Sequence, residues 1–182
     1  MVNDNARLPD GIERILVSEE QVRARVRELG DELSAHYGDR KPLLVGVLTG
    51  AYVFMADLSR AMRIALDVEF MAVSSYGLAT QTSGVVRILK DLDTAIEGRE
   101  VLIVEDIIDS GLTLNYLLDV LRRRNPLDIR VVALLKKIRA DVPPVQVDYL
   151  GFEIPDEFVV GCGLDAGRRF RNLPYVAVVR GS

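Results

Sequence analysis

The sequence predicts an α/β fold, with a mainly parallel, twisted sheet flanked by helices. Strand-like and helix-like segments alternate along most of the chain, and this order is typical of parallel strands joined by helices. In addition, the apolar run at residues 101–104 has no polar alternation, which indicates a strand buried on both faces. At 182 residues the chain is long enough for one domain with a substantial core. We therefore expect a single domain over residues 1–182.

Helical periodicity and end signals predict three helices. Ser18 and Gln21 have the spacing of a capping box, and Gly38 stands just after the expected end of the first helix. In the third helix, leucines recur at the spacing of one helix face. The predicted helices cover residues 18–37, 51–62 and 112–121.

Runs rich in β-branched and aliphatic residues predict the strands. A polar stretch with glycines at both ends, residues 77–84, separates two of them and is expected to be a loop. The predicted strands are residues 43–48, 67–73, 85–90, the run that starts at 101, then 129–135, 147–150 and 176–179.

Composition and charge exclude several classes of function. A net charge of -4 provides no electrostatic basis for general nucleic-acid binding. With Cys162 as the only cysteine and His36 as the only histidine, an intramolecular disulfide and a Cys/His zinc cluster are excluded. The N-terminus lacks the pattern of a signal peptide, and no apolar stretch reaches membrane-spanning length. We expect a cytoplasmic protein with no nucleic-acid or membrane partner.

The most informative segment is residues 105–113, at the end of the buried strand. Gly111 allows a tight turn before the third helix, whose free amides and dipole favour an anion. The hydroxyls of Ser110 and Thr113 add donors, so the turn is a candidate phosphate site.

Three acidic residues frame this turn: Glu105, Asp106 and Asp109. Glu105 and Asp106 could accept hydrogen bonds from vicinal ribose hydroxyls, or bind a divalent cation that offsets the charge of a polyphosphate. The alternative is that the three acids only solvate the loop and cap the helix.

This segment resembles the 5-phosphoribosyl 1-pyrophosphate (PRPP) binding motif of type I phosphoribosyltransferases. The version here is similar to that of bacterial hypoxanthine-guanine phosphoribosyltransferases. Three further segments fit the resemblance, which covers about residues 10–180. They are 45–58, similar to the family's pyrophosphate loop and following helix; 74–77, similar to the start of its mobile active-site loop; and 151–161, similar to its purine-binding segment.

The resemblance implies an activity. The 5-phosphoribosyl group of PRPP would pass to hypoxanthine or guanine, giving IMP or GMP and pyrophosphate in purine salvage, with Mg²⁺ as cofactor. It also implies a homodimer or homotetramer, and a small hood formed by about residues 1–15 and 145–182. The alternatives are transfer to xanthine or another base, and a regulator that senses PRPP without turnover.

The resemblance also assigns roles to residues at the PRPP side of the site. Asp109 would be the general base near purine N7, although no strong cation lies beside it in sequence and helix-loop capping is its alternative role. The 5'-phosphate would be bound by Asp109, Ser110, Gly111, Leu112 and Thr113, the ribose by Glu105 and Asp106, and pyrophosphate by Thr49, Gly50, Ala51 and Arg171.

Other roles concern the base, the metal and the loop. Lys136 is an alternative to Lys137, and Arg168 and Arg169 are alternatives to Arg171. The implied purine-binding residues are Lys137, Phe158, Val159 and Asp165; the metal ligands are Glu105, Asp106 and Asp165; and the mobile loop starts with Ser74, Ser75, Tyr76 and Gly77 and runs to about Gly84.

Two positions depart from the pattern of many relatives. Thr49 and Leu112 stand where some relatives carry a cation. Phosphate and pyrophosphate contacts at these loops should then depend more on backbone amides. The family also often has a non-proline cis peptide where this chain has Leu48 and Thr49.

Overall fold

The computed structural model describes residues 8–76, 85–139 and 145–181. Within these ranges the helices are α1 (Glu19–Tyr37), α2 (Tyr52–Ala61) and α3 (Leu112–Arg122). The strands are β1 (Ile12–Val17), β2 (Leu43–Leu48), β3 (Asp67–Tyr76), β4 (Val85–Lys90), β5 (Glu100–Ile108), β6 (Asp128–Lys137), β7 (Tyr149–Ile154), β8 (Val159–Val160) and β9 (Val176–Val179). Of the described helices, none is long and apolar enough to cross a membrane.

Six strands form the larger sheet, in the order β4-β3-β2-β5-β6-β7. The β3–β4 pair is antiparallel, and every other neighbouring pair is parallel. The predicted α/β class with a mainly parallel sheet is therefore confirmed. Because β2, β5 and β6 are neighbours and parallel, their carboxyl ends meet at one edge, where ligands bind in open α/β sheets.

The central strand β5 is buried on both faces, as predicted. Leu102 and Val104 belong to the core that also contains α1 and α2. Val101 and Ile103 belong to the core on the other face, with the leucines of α3. This alternation follows from the two-residue period of a strand.

The residues at the start of a helix determine how its first turn is capped. The Ser18 hydroxyl accepts the amide hydrogen of Gln21 at 3.2 Å, while Gln21 Oε1 accepts that of Ser18 at 2.8 Å. The predicted capping box is confirmed. Helix α3 begins differently. Gly111 at its N-cap has φ of 70° and provides no side-chain acceptor, so no N-cap side chain occupies the free amides of the first turn.

A second sheet, in the order β1-β9-β8, is antiparallel. Of its strands, only β9 was predicted. Strand β8 has two residues, and β1 pairs with β9 through two register irregularities, between Ile12 and Arg14 and between Ile15 and Val17. These irregularities remove the regular alternation of apolar and polar residues by which a strand is recognised.

Two predicted boundaries were wrong. The strand predicted at residues 147–150 is β7, which begins at Tyr149. Asp148 lies before it, and its carboxylate accepts the amide hydrogen of Val131 at 2.8 Å, so it ends the connection rather than entering the sheet.

The second wrong boundary is the start of the expected mobile loop. The backbones of Ser74, Ser75 and Tyr76 pair with β4 and extend β3, so these residues do not open a loop. Gly77 and the rest of that segment to Gly84 lie outside the described residues.

Candidate active site

The end of β5 carries two adjacent carboxylates with unlike surroundings. Glu105 is buried, with 6% of its surface exposed. Within the described chain its carboxylate has no hydrogen-bond or ion-pair partner. Burial and the neighbouring Asp106 raise the pKa of Glu105 well above its usual range. Burial likewise raises the pKa of Asp106 to about 6, against the lowering effect of backbone amides and Arg171.

A buried carboxylate next to a second, half-buried one is costly unless something compensates their charge. Their oxygens would be satisfied by a cation or by ligand hydroxyls that donate hydrogen bonds. The burial of Glu105, next to the half-buried Asp106, therefore argues against a role in merely solvating the loop.

The turn after β5 opens a cavity of about 410 Å³ at the start of α3. Its described lining runs continuously from Glu105 to Gly111 and also includes Thr113, Leu114 and Arg139. Arg139 is the cation among these lining residues, and the sequence analysis missed it. Leu112, predicted to contribute here, has a side chain that is 54% exposed and is not part of the lining.

Asp109 is held by two cations that lie at and after the end of β6. Its Oδ1 is 2.7 Å from Nη1 of Arg139, and its Oδ2 is 3.4 Å from Nζ of Lys137. No cation lies next to Asp109 in the sequence, but this was misleading. The parallel register of β5 and β6 brings the end of β5, before Asp109, close to the end of β6 at Lys137.

A second carboxylate, that of Asp156, completes this ion-pair cluster. Its Oδ1 is 3.0 Å from Lys137 Nζ, and its Oδ2 is 3.6 Å from Nε of Arg139. Each cation thus contacts both Asp109 and Asp156. The sequence analysis also missed Asp156. The signal that could have pointed to it is its position two residues before Phe158, the aromatic residue expected to stack on the base.

A second cavity, of about 320 Å³, lies beside the first and shares the residues Asp106, Ile107 and Asp109 with it. It brings together all four residues predicted to bind a purine. Its described lining is Gly50, Asp106, Ile107, Asp109, Lys137, Phe158, Val159, Leu164, Asp165 and Arg171.

Strand geometry separates Lys137 from its alternative, Lys136. Neighbouring residues of a strand point to opposite faces, and Lys137 lines the cavity whereas Lys136 is not part of the described lining. The Lys137 side chain is only 12% exposed, between its two carboxylate partners.

Arg171 is likewise distinguished from Arg168 and Arg169. Its Nη2 is 2.6 Å from Asp165 Oδ1, and its Nη1 donates to the carbonyl of Gly163 at 2.6 Å. Arg168 reaches Asp165 through its backbone amide, and Arg169 lies over the ring of Phe170. Arg171 is therefore the arginine that faces the cavity.

The loop after β2 contacts the same site. The Leu48–Thr49 peptide is cis. A Cβ added to Gly50 would overlap Oδ2 of Asp106, so only glycine allows the loop and this carboxylate to approach so closely. Thr49 and Ala51, grouped with Gly50 in the sequence analysis, are not among the described residues that line either cavity.

The residues expected to hold a metal do not form a closed metal centre. In the described ranges, no cluster of three His, Cys, Asp or Glu side chains has an arrangement that could hold an ion. Glu105 lines the first cavity, Asp165 lines the second, and Asp106 lines both. Hard oxygen donors of this kind suit Mg²⁺, which usually keeps several waters and takes further oxygens from substrate phosphates.

Comparison with known proteins gives consistent results. The family model for the phosphoribosyl transferase domain matches residues 15–166. A hypoxanthine-guanine phosphoribosyltransferase of Bacillus subtilis is 52% identical over 169 residues, which cover 93% of this chain and 94% of that protein.

Solved structures agree. A hypoxanthine-guanine phosphoribosyltransferase from Bacillus anthracis has a TM-score of 0.87 at 41% identity and covers 92% of this chain and 99% of its own. The hypoxanthine phosphoribosyltransferase of Trypanosoma cruzi, in complex with the product IMP, has a TM-score of 0.88 at 41% identity, covering 97% and 98%. The chain belongs to the phosphoribosyl transferase domain family, as its motifs indicated.

Proposed function

We propose that the protein transfers the 5-phosphoribosyl group of PRPP to hypoxanthine or guanine, releasing pyrophosphate and forming IMP or GMP. The observation that carries this proposal is the meeting of two cavities at Asp106 and Asp109. One has the features of a phosphate and ribose site, and the other combines a largely buried lysine with an exposed aromatic ring. The names of the similar proteins support the same reaction.

In the proposed complex, the 5'-phosphate lies at the turn from Asp109 to Thr113, against the start of α3. The amides there point at the anion, and the dipole of α3 favours it. The ribose hydroxyls donate to Glu105 and Asp106. This arrangement would compensate the buried carboxylate of Glu105 and the half-buried carboxylate of Asp106.

Pyrophosphate is proposed to lie between Arg171 and the backbone of the loop at Thr49, Gly50 and Ala51. The Arg171 guanidinium has fixed donors suited to phosphate oxygens. Its contact with Asp165 holds it at the edge of the cavity.

Base selection follows from the chemistry of Lys137. An ammonium group donates hydrogen bonds and accepts none, so it matches the 6-oxo group of hypoxanthine or guanine and not the 6-amino group of adenine. Phe158 is 48% exposed, which leaves its ring free to stack on the base. Backbone groups of Val159 and Asp165 are proposed to contact the edge of the purine.

In the proposed reaction, purine N9 forms a bond to C1' of the ribose while the bond from C1' to pyrophosphate breaks. Positive charge develops at C1', and negative charge develops on the leaving group. Asp109, as general base, would accept the proton that the base loses at N7, and the site must orient both reactants in line. Arg171 would bind the leaving group.

The oxygens of Glu105, Asp106 and Asp165 are suitable to hold Mg²⁺, together with oxygens of PRPP and water. When bound, the ion would neutralise charge on the pyrophosphate. These carboxylates would otherwise repel the anionic substrate. We therefore propose Mg²⁺ as the cofactor.

Four further parts of the proposal concern organisation. We propose a single domain over residues 1–182, a hood from about residues 1–15 and 145–182, a homodimer or homotetramer, and a cytoplasmic location. The small β1-β9-β8 sheet supports the hood, since its strands come from both ends of the chain.

The test is pyrophosphate release from PRPP and Mg²⁺ with hypoxanthine, guanine, xanthine, adenine or uracil supplied one at a time. The proposal expects turnover with hypoxanthine or guanine and none with adenine or uracil. Turnover with xanthine or uracil alone would assign another base, and PRPP binding without turnover would favour a PRPP-sensing regulator.

A further inference from the structure

We propose that Arg139 is a binding residue for the 5'-phosphate and that it exchanges Asp109 for this phosphate when PRPP binds. The inference rests on the proposed function, because it assumes that the cavity at the start of α3 takes the phosphate. Nothing in the motif at residues 105–113 pointed to this arginine, which lies beyond the end of β6.

The charge of the cavity supports this role for Arg139. The described lining of the phosphate cavity contains three carboxylates, from Glu105, Asp106 and Asp109, and one cation, Arg139. If Mg²⁺ offsets Glu105 and Asp106, the Asp109 carboxylate at the turn still repels a phosphate dianion, and the guanidinium of Arg139 opposes this repulsion. Backbone amides and the dipole of α3 offset part of this repulsion but carry no full charge.

The composition of the turn supports the same role. The residues from Asp109 to Thr113 include no lysine or arginine, and the Leu112 side chain points into solvent rather than into the cavity. Arg139 therefore provides, from a different segment, the positive charge that the turn itself lacks.

The position of Arg139 supports this role as well. Nη1 of Arg139 is already bonded to Oδ1 of Asp109, the first residue of the turn, at 2.7 Å. Asp109 is 47% exposed and Arg139 is 28% exposed, so solvent weakens this pair and the two groups can separate at small cost. A phosphate offers two oxygens to the planar guanidinium and is the stronger partner.

Asp156 would keep Arg139 close during the exchange. Its Oδ2 lies 3.6 Å from Nε of Arg139, on a different atom from the one that contacts Asp109. The guanidinium can then turn from Asp109 towards the phosphate without losing its second carboxylate. Asp109 would keep Lys137 as a neighbour and would become available to the base.

The experiment is calorimetric titration of the full chain with ribose 5-phosphate and, separately, with pyrophosphate. Arg139→Gln should weaken the binding of ribose 5-phosphate by about tenfold, since one charge-assisted contact is lost. Pyrophosphate binding should change by less than about twofold, because it uses the other side of the site. Arg122→Gln, at the exposed end of α3, is the matched control for loss of one positive charge and should leave both affinities unchanged.

Steady-state kinetics give a second readout. Arg139→Gln should raise KM for PRPP by a factor similar to the loss in ribose 5-phosphate affinity, with a smaller effect on kcat. Should the glutamine variant fail to fold, Arg139→Lys decides, because it keeps the charge and loses the planar fork; a loss of about threefold in ribose 5-phosphate affinity is expected.

Unchanged ribose 5-phosphate affinity in a folded Arg139 variant would overturn the inference and leave the proposed function intact. Equal weakening of ribose 5-phosphate and pyrophosphate would also overturn it, since Arg139 would then have only a structural role. If the unmodified protein bound neither PRPP nor ribose 5-phosphate, the proposed function would fail and the inference with it.

Discussion

The carboxylate of Asp109 lies between Lys137 and Arg139, with one oxygen directed at each: Oδ2 is 3.4 Å from Nζ of Lys137 and Oδ1 is 2.7 Å from Nη1 of Arg139. Lys137 lines the candidate purine cavity, whereas Arg139 lines the candidate phosphate cavity. Asp109 is thus the side chain at which both cavities and both cations meet. This position gives the first prediction.

Asp109→Asn should bind PRPP while losing most of its rate. The amide keeps the size of the side chain but cannot accept a proton as the carboxylate does, and general base catalysis contributes about 10²- to 10⁴-fold. PRPP affinity by calorimetry and kcat by pyrophosphate release are the two measurements. Asp119→Asn, exposed on α3, is the control; a fully active Asp109→Asn variant would remove Asp109 as the general base.

Asp156→Asn should raise KM for hypoxanthine by about three- to tenfold, with a smaller change in kcat. Asp156 acts as a positioning residue, because its Oδ1 holds Lys137 Nζ at 3.0 Å and a charged partner contributes more than a neutral one. The neighbouring Glu157, which pairs with Arg14, provides the control as Glu157→Gln. An Asp156→Asn enzyme with the original KM for hypoxanthine would show that Lys137 is positioned without this carboxylate.

Gly50→Ala should reduce PRPP affinity and kcat/KM by about tenfold or more, with the protein still folded. The added Cβ would overlap Oδ2 of Asp106, so either the loop or the carboxylate must shift, and small misplacements in a site are costly. Ala56→Ser, on the exposed side of α2, controls for a small substitution outside the described lining of both cavities. Kinetics equal to those of the unmodified protein would mean that Asp106 does not need its observed position.

The ion pair between Asp91 and Arg124 should make a pH-dependent contribution to stability. The hydrogen bonds from Arg124 lower the pKa of Asp91 below its usual range. A lowered folded-state pKa stabilises the protein above the unfolded pKa of about 3.9, and the contribution is lost as pH falls through the folded value.

We therefore expect Asp91→Asn to lower the free energy of unfolding by up to about 1 kcal/mol at neutral pH, a modest value because both side chains are partly exposed. The difference from the unmodified protein should shrink towards zero at strongly acid pH. Urea unfolding at several pH values measures this difference in the free energy of unfolding. The control is Asp93→Asn, because the Asp93 side chain is 80% exposed. If the free energy of unfolding differed by the same amount at all pH values, the charge of Asp91 would be ruled out as the cause of the difference.

Local sequence predicted those parts of the fold whose determinants lie close together in the chain. The capping box at Ser18 and the apolar run just before Glu105 are two such local signals. The structure contains both the predicted helix start and the predicted buried strand. The candidate phosphate turn could be proposed because a strand end, Gly111 and a helix start follow one another directly.

Features that depend on strand register were not predictable in the same way. Arg139 and Asp156 meet Asp109 only because separate segments end at one edge of the sheet. The choice between Lys136 and Lys137 depended on which face of β6 is turned to the cavity. Strand β1 was missed because its register irregularities obscure the apolar alternation.

The most direct test of the central claim is product identification by mass spectrometry after incubation of the protein with PRPP, Mg²⁺ and hypoxanthine. The account predicts IMP and pyrophosphate in equal amounts, and a strongly reduced yield with Asp109→Asn. Failure of the unmodified protein to form a nucleotide from hypoxanthine or guanine, while PRPP remains bound and intact, would contradict it.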